Sequence, residues 1–328
     1  MEMKRKILVT GGLGLIGHNV VRRLLDLGHE VSITDTQTNY GLVPQDELDY
    51  LMGERRAKIP EMDLRTHRID IADQAGIDWL VKHYQPDTVI HMASFPRQKV
   101  VNVNPMIGSR AMSEGLLNLL EAAKNNHVCK FIYISSSMVY GDFTDDVTED
   151  AECHPQGQYG IMKLAGEWLV RDYSRRGFFN HVIIRPSAVY GELDVEDRVI
   201  SKFLLTAMRG GTLKVNGATE TLDFTYVGDA ADGIVAAALS TTANDQTYNI
   251  TKSRSWSLLD AANLAVKIVG RGSVEVRDKD TDFPSRGALN IDAARHDFGY
   301  DPKVDIEEGF QRYYEWLNSA LYWAKKTI

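Results

Sequence analysis

Short apolar runs alternate with stretches of helical periodicity through the N-terminal part of the chain. Ile7-Leu8-Val9 has the character of a buried strand, glycines follow, and Ile16 to Leu27 then places Val20, Val21, Leu24 and Leu27 on one helical face. Gly28 ends that helix as a C-cap, and a second strand, Glu30 to Thr34, begins at once. Thr88-Val89-Ile90, Phe131 to Ile134 and Val182 to Ile184 repeat the strand pattern, separated by helical stretches at Gly115 to Lys124 and Tyr159 to Arg175. Strands alternating with helices predict a parallel sheet covered on both faces, the doubly wound α/β plan. The connection from Thr36 to Arg68 breaks the rhythm, and a short helix near Gln45 to Met52 is expected to fill part of it.

After Gly191 the pattern changes. A helix is predicted at Ser201 to Arg209, turns at Gly210-Gly211 and Asn216-Gly217, a helix at Asp229 to Leu239, and a last aromatic-rich helix from Ile306 to Trp323 with Phe310, Tyr313, Leu317 and Leu321 on its buried face. We therefore expect a Rossmann-type sheet domain over residues 1–190 and 222–250, and a smaller C-terminal substrate-binding lobe over 191–221 and 251–328.

Composition narrows the function classes. The 328 residues are 44% hydrophobic and 25% charged, the balance of a globular protein. Net charge is −8 with the basic residues scattered, which leaves no footprint for nucleic acid or anionic lipid. The start, Met1 to Lys6, lacks the apolar segment of an export signal, and no stretch has the length to span a bilayer. The two cysteines, Cys129 and Cys153, form no CxxC pair, and the nine histidines lack the paired spacing of zinc sites, so a cytoplasmic protein without a bound metal is expected.

Candidate chemistry begins at Thr10-Gly11-Gly12-Leu13-Gly14-Leu15-Ile16-Gly17, between the first strand and first helix. A pyrophosphate there meets free backbone N–H groups and the positive helix end, provided no Cβ blocks its approach. Asp35 closes the second strand about twenty residues on, where a carboxylate accepts both ribose hydroxyls of NAD and repels a 2′-phosphate. Asp70 and Ile71, at the end of a probable third strand, are expected to bound the adenine.

Tyr159 and Lys163 lie four apart on a predicted helix and so share a face. A lysine cation beside a phenol favours the phenolate, although a pKa near 10 has to fall by about 3 units, roughly 4 kcal/mol, for the phenolate to dominate at neutral pH. Such a base takes a hydroxyl proton while hydride leaves the same carbon for NAD, and Ser136, just after the strand Phe131 to Ile134, is placed to donate a hydrogen bond to the developing carbonyl.

With these residues in this order, the chain resembles the extended short-chain dehydrogenase/reductase family, and within it the NAD-dependent nucleotide-sugar epimerases and dehydratases. The likeness runs nearly end to end and includes Thr10 to Gly17, Asp35, Asp70-Ile71, His91-Met92-Ala93-Ser94, the serines before Val139-Tyr140-Gly141, Tyr159-Gly160-Ile161-Met162-Lys163, Arg185-Pro186-Ser187-Ala188-Val189-Tyr190-Gly191 and Asp223-Phe224-Thr225-Tyr226-Val227. The resemblance selects Ser136 among the serines. It implies that Gly11, Gly14, Leu15, Ile16, Gly17, Asp35, Asp70, Ile71, Met92, Ala93, Ser94, Tyr159, Lys163 and Pro186 line the NAD site. It further implies that Ser136, Ser137, Arg97, Ala188 and Arg286 face a nucleotide-sugar, with Arg286 on its diphosphate, and that two copies pair through helices such as Tyr159 to Arg175.

Departures from the family pattern shape the expected reaction. Dehydratases of this group carry Asp and Glu where this chain has Ser137 and Met138, and the family's decarboxylases often carry Glu at the latter position. That disfavours both branches and leaves epimerisation, at C4, by transient oxidation to a keto-sugar and return of the hydride. Met112, Ala188 and Leu222 stand where the family often has Asn, Asn and Arg, and Arg97 and Lys99 add positive charge to the substrate loop. The alternatives are a keto-sugar reductase or dehydrogenase, a dehydratase of the same family, or a dinucleotide sensor without chemistry.

Overall fold

A computed structural model describes residues 4–39, 41, 43–60, 65–95, 98–281 and 283–324. Its centre is a parallel sheet of seven strands: β1 (Lys6–Thr10), β2 (Glu30–Thr34), β3 (Thr66–His67), β4 (Thr88–His91), β5 (Lys130–Ile134), β6 (Asn180–Pro186) and, from far along the chain, β11 (Gln246–Ile250). The spatial order is β11-β6-β5-β4-β1-β2-β3. Every residue of β4 and β5 is buried, as both faces of a helix-covered parallel sheet require. The chain winds outward through β2 and β3, then returns to lay β4 beside β1, with Thr10 opposite His91. Such a reversal opens a crevice at the carboxyl ends of the two strands.

Helices α1 (Leu15–Asp26), α2 (Gln45–Ala57), α3 (Gln74–Tyr84), α4 (Gln98–Val103), α5 (Pro105–Ser109), α6 (Gly115–Asn125), α7 (Gly157–Arg175), α8 (Val199–Met208) and α9 (Val227–Leu239) follow in chain order, with a π turn at Arg110–Glu114 leading into α6. The expected helix at Gln45 to Met52 runs on to Ala57, with Glu47, Leu51, Met52 and Arg55 on its buried face. One hydrophobic cluster, with Ile7, Val9, Leu24, Ile33, Ile132, Ile184, Ile234 and Tyr248, fills the space between the sheet and α1 and α9. A third strand is present, but it is only two residues long and stops short of Asp70.

A second cluster centres on Phe203, Leu204, Leu213, Val215, Ala261, Phe310, Tyr313, Leu317 and Trp323. It joins α8 to α10 (Leu258–Val269), α12 (Ile306–Ser319) and the two-stranded pair of β8 (Thr212–Asn216) and β13 (Ser273–Arg277). The last helix is not continuous to Trp323: Ala320 is extended and α13 (Leu321–Ala324) restarts the chain at an angle that buries Trp323 completely. Between these clusters, α11 (Asp292–Phe298) turns back, and Ile291, Ala294 and Tyr300 belong to the core of the large sheet. Among the described residues, no helix is long and apolar enough to cross a membrane.

Candidate active site

The dinucleotide end is built by glycines, each for its own steric reason. Gly11 has φ +69°, and a Cβ there would lie 2.7 Å from the backbone N of Ala93, so only glycine lets β1 leave the sheet against the loop after β4. A Cβ on Gly17 would sit 2.2 Å from the Gly11 carbonyl; its absence lets α1 pack on the turn. Gly14 differs: its Cβ would meet only the Gly11 oxygen, at 3.2 Å, and otherwise project into open space. Gly14 is also the N-cap of α1 and gives no side-chain cap, which leaves the first-turn N–H groups of Leu15, Ile16 and Gly17 turned toward that space. A cradle that one methyl group would fill, at a positive helix end, fits a pyrophosphate.

Asp35, partly buried beyond β2, accepts from Leu13 N at 3.0 Å and from Gln37 N at 2.8 Å. Burial raises its carboxyl above the ordinary range, against the pull of those two N–H groups and of Arg55. Asp70 is exposed, and its Oδ1 accepts from Ala72 N at 2.9 Å; the Ile71 carbonyl is held by Asn118 at 3.1 Å, while its side chain packs where Gly115 has no Cβ. Across the crevice, Thr10 Oγ1 lies 2.7 Å from His91 Nδ1 and accepts from Ala93 N at 3.2 Å, which fixes Met92, Ala93 and Ser94 beside the glycine loop. Burial beside Lys163 drops the His91 imidazole to about 3, so it is neutral.

Three serines in a row at the end of β5 have three fates. Ser135 Oγ donates to Glu167 Oε1 at 2.6 Å, and Ser137 Oγ donates to Ser187 Oγ at 3.2 Å. Ser136 accepts from Met138 N at 3.2 Å, and its hydroxyl is one of the groups that pull the Tyr159 phenol down. The turn at Ser137–Val139 thus gives Ser136 a different role from its two neighbours, as the N-cap whose side chain accepts from Met138 N. Pro186 ends β6, and Ala188, just beyond it, has φ +36°, a strained left-handed turn.

Tyr159, Lys163 and Glu167 occupy successive turns of α7 on one face. Lys163, 4% exposed, donates to the Ile134 carbonyl at 2.7 Å and lies over the rings of Tyr133 and Tyr159, at 5.3 and 5.8 Å from their centroids. Burial lowers its amine to about 7 despite the opposing charge of Glu167. Glu167 is fully buried, gripped by Arg185 at 2.9 and 2.7 Å and by Arg171 at 3.1 Å. Burial holds the Tyr159 phenol above its ordinary 10, and the groups that pull it down are Arg198 first and Ser136 second. Sequence reasoning looked to Lys163 for that pull and missed Arg198, which caps α8 from the loop after Gly191. The ring of Tyr159 packs against an apolar wall of Phe95, Val101 and Met112.

Arg286 is tied into the pocket rim through its backbone, in a bridge with Phe143 and by Thr221 Oγ1 donating to its carbonyl at 2.6 Å. Its Nε is buried with no hydrogen-bond partner, and burial lowers the guanidinium to about 10 against the charge of Glu220. An unsatisfied cationic donor of this kind suits an anionic ligand. Arg97 lies outside the described residues.

Residues 7–251 match the model of the NAD dependent epimerase/dehydratase family. The chain belongs to that family. As a family member it is an enzyme with NAD as cofactor, and its crevice, glycine loop and Asp35 suit that dinucleotide. The uncharacterized UDP-glucose epimerase YtcB of Bacillus subtilis is 29% identical over 324 residues, covering 97% of this chain and 99% of that protein. A dTDP-glucose 4,6-dehydratase of Neisseria meningitidis is 27% identical over 351 residues, covering 97% and 95%. The UDP-glucuronic acid 4-epimerase of Bacillus cereus, solved with UDP-glucuronic acid and NAD, superposes with a TM-score of 0.85 at 27% identity, covering 95% of this chain and 98% of that one.

Proposed function

We propose that this member of the family is a nucleotide-sugar 4-epimerase. The observation that carries the reading is the make-up of the pocket wall: beside Ser136 and Tyr159, the next two residues are Ser137, bonded to Ser187, and buried Met138. Eliminating water from a sugar needs an acid and a base beyond the group that removes the hydroxyl proton, and neither position carries a carboxyl group. Oxidation of one carbon and its re-reduction need only the groups present.

In this mechanism NAD, when bound, accepts a hydride and gives it back. The chain's own part begins with Tyr159, which takes the proton of the sugar hydroxyl as hydride leaves the carbon. Ser136 donates a hydrogen bond to that oxygen as it becomes a carbonyl. Lys163, anchored on the Ile134 carbonyl, stands beside the phenol, and Arg198 contributes positive charge that favours its anion. Rotation of the keto-sugar presents its other face, hydride returns, and Tyr159 restores the proton to the same oxygen. Arg286 is the residue we assign to the diphosphate. The relatives that take UDP-glucose and UDP-glucuronic acid support a UDP-linked hexose or hexuronate as substrate, and Arg198 favours the charged one.

The apolar side chains of Leu117 on α6 and of Ile161 and Trp168 on α7 are exposed by 39%, 47% and 64%, and the last two are seven apart on one helical face. We infer that they pair two copies of the chain, and that the dimer works in the cytoplasm. The test of function is conversion of UDP-glucose, UDP-glucuronic acid and dTDP-glucose by the parent and by Tyr159→Phe. A C4 epimer formed without accumulation of reduced cofactor, and abolished in the variant, is expected; stoichiometric NADH would make the chain a reductase or dehydrogenase, and an active variant would remove Tyr159 from the mechanism.

A further inference from the structure

Helix α2 fills the connection that interrupts the strand–helix rhythm, and none of the chemistry above uses it. Its contacts run in two directions. Toward the sheet, Leu48 and Met52 pack on the main core cluster. Toward the other lobe, Tyr50 stacks on Tyr322 with ring centroids 4.9 Å apart, Tyr322 donates to Asp46 at 2.9 Å, and Glu47 accepts from Glu196 N at 2.7 Å. One residue reaches both sides. Arg55, 6% exposed, donates to the Leu13 carbonyl at 3.0 Å and to the Leu193 carbonyl at 2.7 Å.

Those two carbonyls belong to the two loops that matter most. Leu13 lies inside the glycine loop, and its N–H holds the ribose acid Asp35. Leu193 lies in the segment from Gly191 to Arg198, which follows β6 beyond the carboxyl edge of the sheet where ligands of such folds bind, and it is held at φ +69°, a conformation that costs a leucine energy unless its surroundings impose it. Asp35 and Asp194, one beside each loop, are the carboxylates whose charge offsets the buried cation. A buried guanidinium bonded to two carbonyls, with its Nε left without a partner, is a poor device for stability alone.

We propose that Arg55 is a positioning residue that links the dinucleotide loop to the Gly191–Arg198 loop, so that NAD occupancy tightens nucleotide-sugar binding and the reverse. The inference rests on the functional reading above. By linkage, each ligand strengthens the other by the same factor, and couplings of about 5- to 150-fold are typical of such devices.

The experiment measures the dissociation constant of NAD on the full chain, with and without saturating UDP, in the parent and in Arg55→Met. The parent is expected to bind NAD at least about fivefold more tightly with UDP present. In Arg55→Met that ratio falls to within about twofold of unity, a change that general loosening of either site does not produce. Glu47→Ala, which removes the acceptor of the Glu196 N–H on the far loop, weakens UDP binding equally with and without NAD. Should Arg55→Met not fold, hydrogen exchange on the parent decides: NAD must raise amide protection across residues 191–198, and unchanged protection overturns the link. Binding of both ligands with an unaltered ratio in Arg55→Met overturns the link alone, whereas a parent that binds no NAD or no UDP overturns the functional reading together with it.

Discussion

Burial of the Lys163 ammonium is expected to cost the enzyme stability, and the penalty should show in the pH dependence of unfolding. Its amine drops from an ordinary 10.5 to about 7 because burial outweighs the attraction of Glu167. Below pH 7 the lysine is charged in both the folded and the unfolded chain, and the full cost of burying the charge, roughly 5 kcal/mol at 1.36 kcal/mol per pH unit, is present. Between pH 7 and 10.5 the unfolded chain binds more protons than the folded one, so this contribution to stability rises with pH and the cost disappears. Replacing Lys163 by Met removes the charge but strands the Ile134 carbonyl that it holds at 2.7 Å, a loss of about 1–3 kcal/mol. The expected balance is a variant about 2–4 kcal/mol more stable than the parent at pH 6, or on the order of 5 °C in melting temperature. That advantage shrinks above pH 7 and reverses by about pH 10. Thermal melts of both proteins across this range, beside turnover that falls by about 10²-fold or more, provide the check. A variant less stable than the parent at pH 6, or a difference that does not move with pH, would refute the assignment of a strained, buried ammonium.

Three further outcomes follow from the geometry. Gly14→Ala should melt within a few degrees of the parent yet lose NAD in equilibrium titration, because its methyl group enters only the open cradle, whereas Gly17→Ala meets the Gly11 carbonyl at 2.2 Å and should fail to fold normally. Glu167→Leu leaves Arg185 buried without its carboxylate and should cost about 3–5 kcal/mol in urea denaturation, most of it recovered in the double variant Glu167→Leu/Arg185→Met; equal stability of the single variant and the parent would count against the pair. Asp35→Ser should narrow the preference for NAD over NADP by about tenfold or more in competition binding, and an unchanged preference would take the ribose contact away from this residue.

What the sequence makes legible is what local rules control. Gly11 and Gly17 are required by a turn whose backbone contacts fall within a few residues, and the four-residue spacing of Tyr159 and Lys163 fixes a shared helical face whatever surrounds it. The separate fates of Ser135, Ser136 and Ser137 are tertiary: Glu167 and Tyr159 come from α7 and Ser187 from the segment after β6, and only the family resemblance picked out Ser136. Arg198 and Arg55 were hidden for the same reason. Each sits among other charged residues, Glu54 and Arg56 or Glu196 and Asp197, and the partners of each, Leu13 and Leu193 for Arg55 and Asp194 for Arg198, are set by how the loops fold back. The break at Ala320 escaped notice because the periodicity of the last helix continues across it, and only the burial of Trp323 shows why the chain must turn.

The ends of the large sheet have a consequence for how this protein behaves in crowded solution. Its two outer strands are β3, two residues long, and β11, where the Asn249 N–H is already taken by the Glu149 carboxylate at 2.7 Å. A two-residue rim and a rim crossed by a carboxylate give a foreign strand little to extend. Open-ended growth by strand addition at the large sheet is thereby disfavoured.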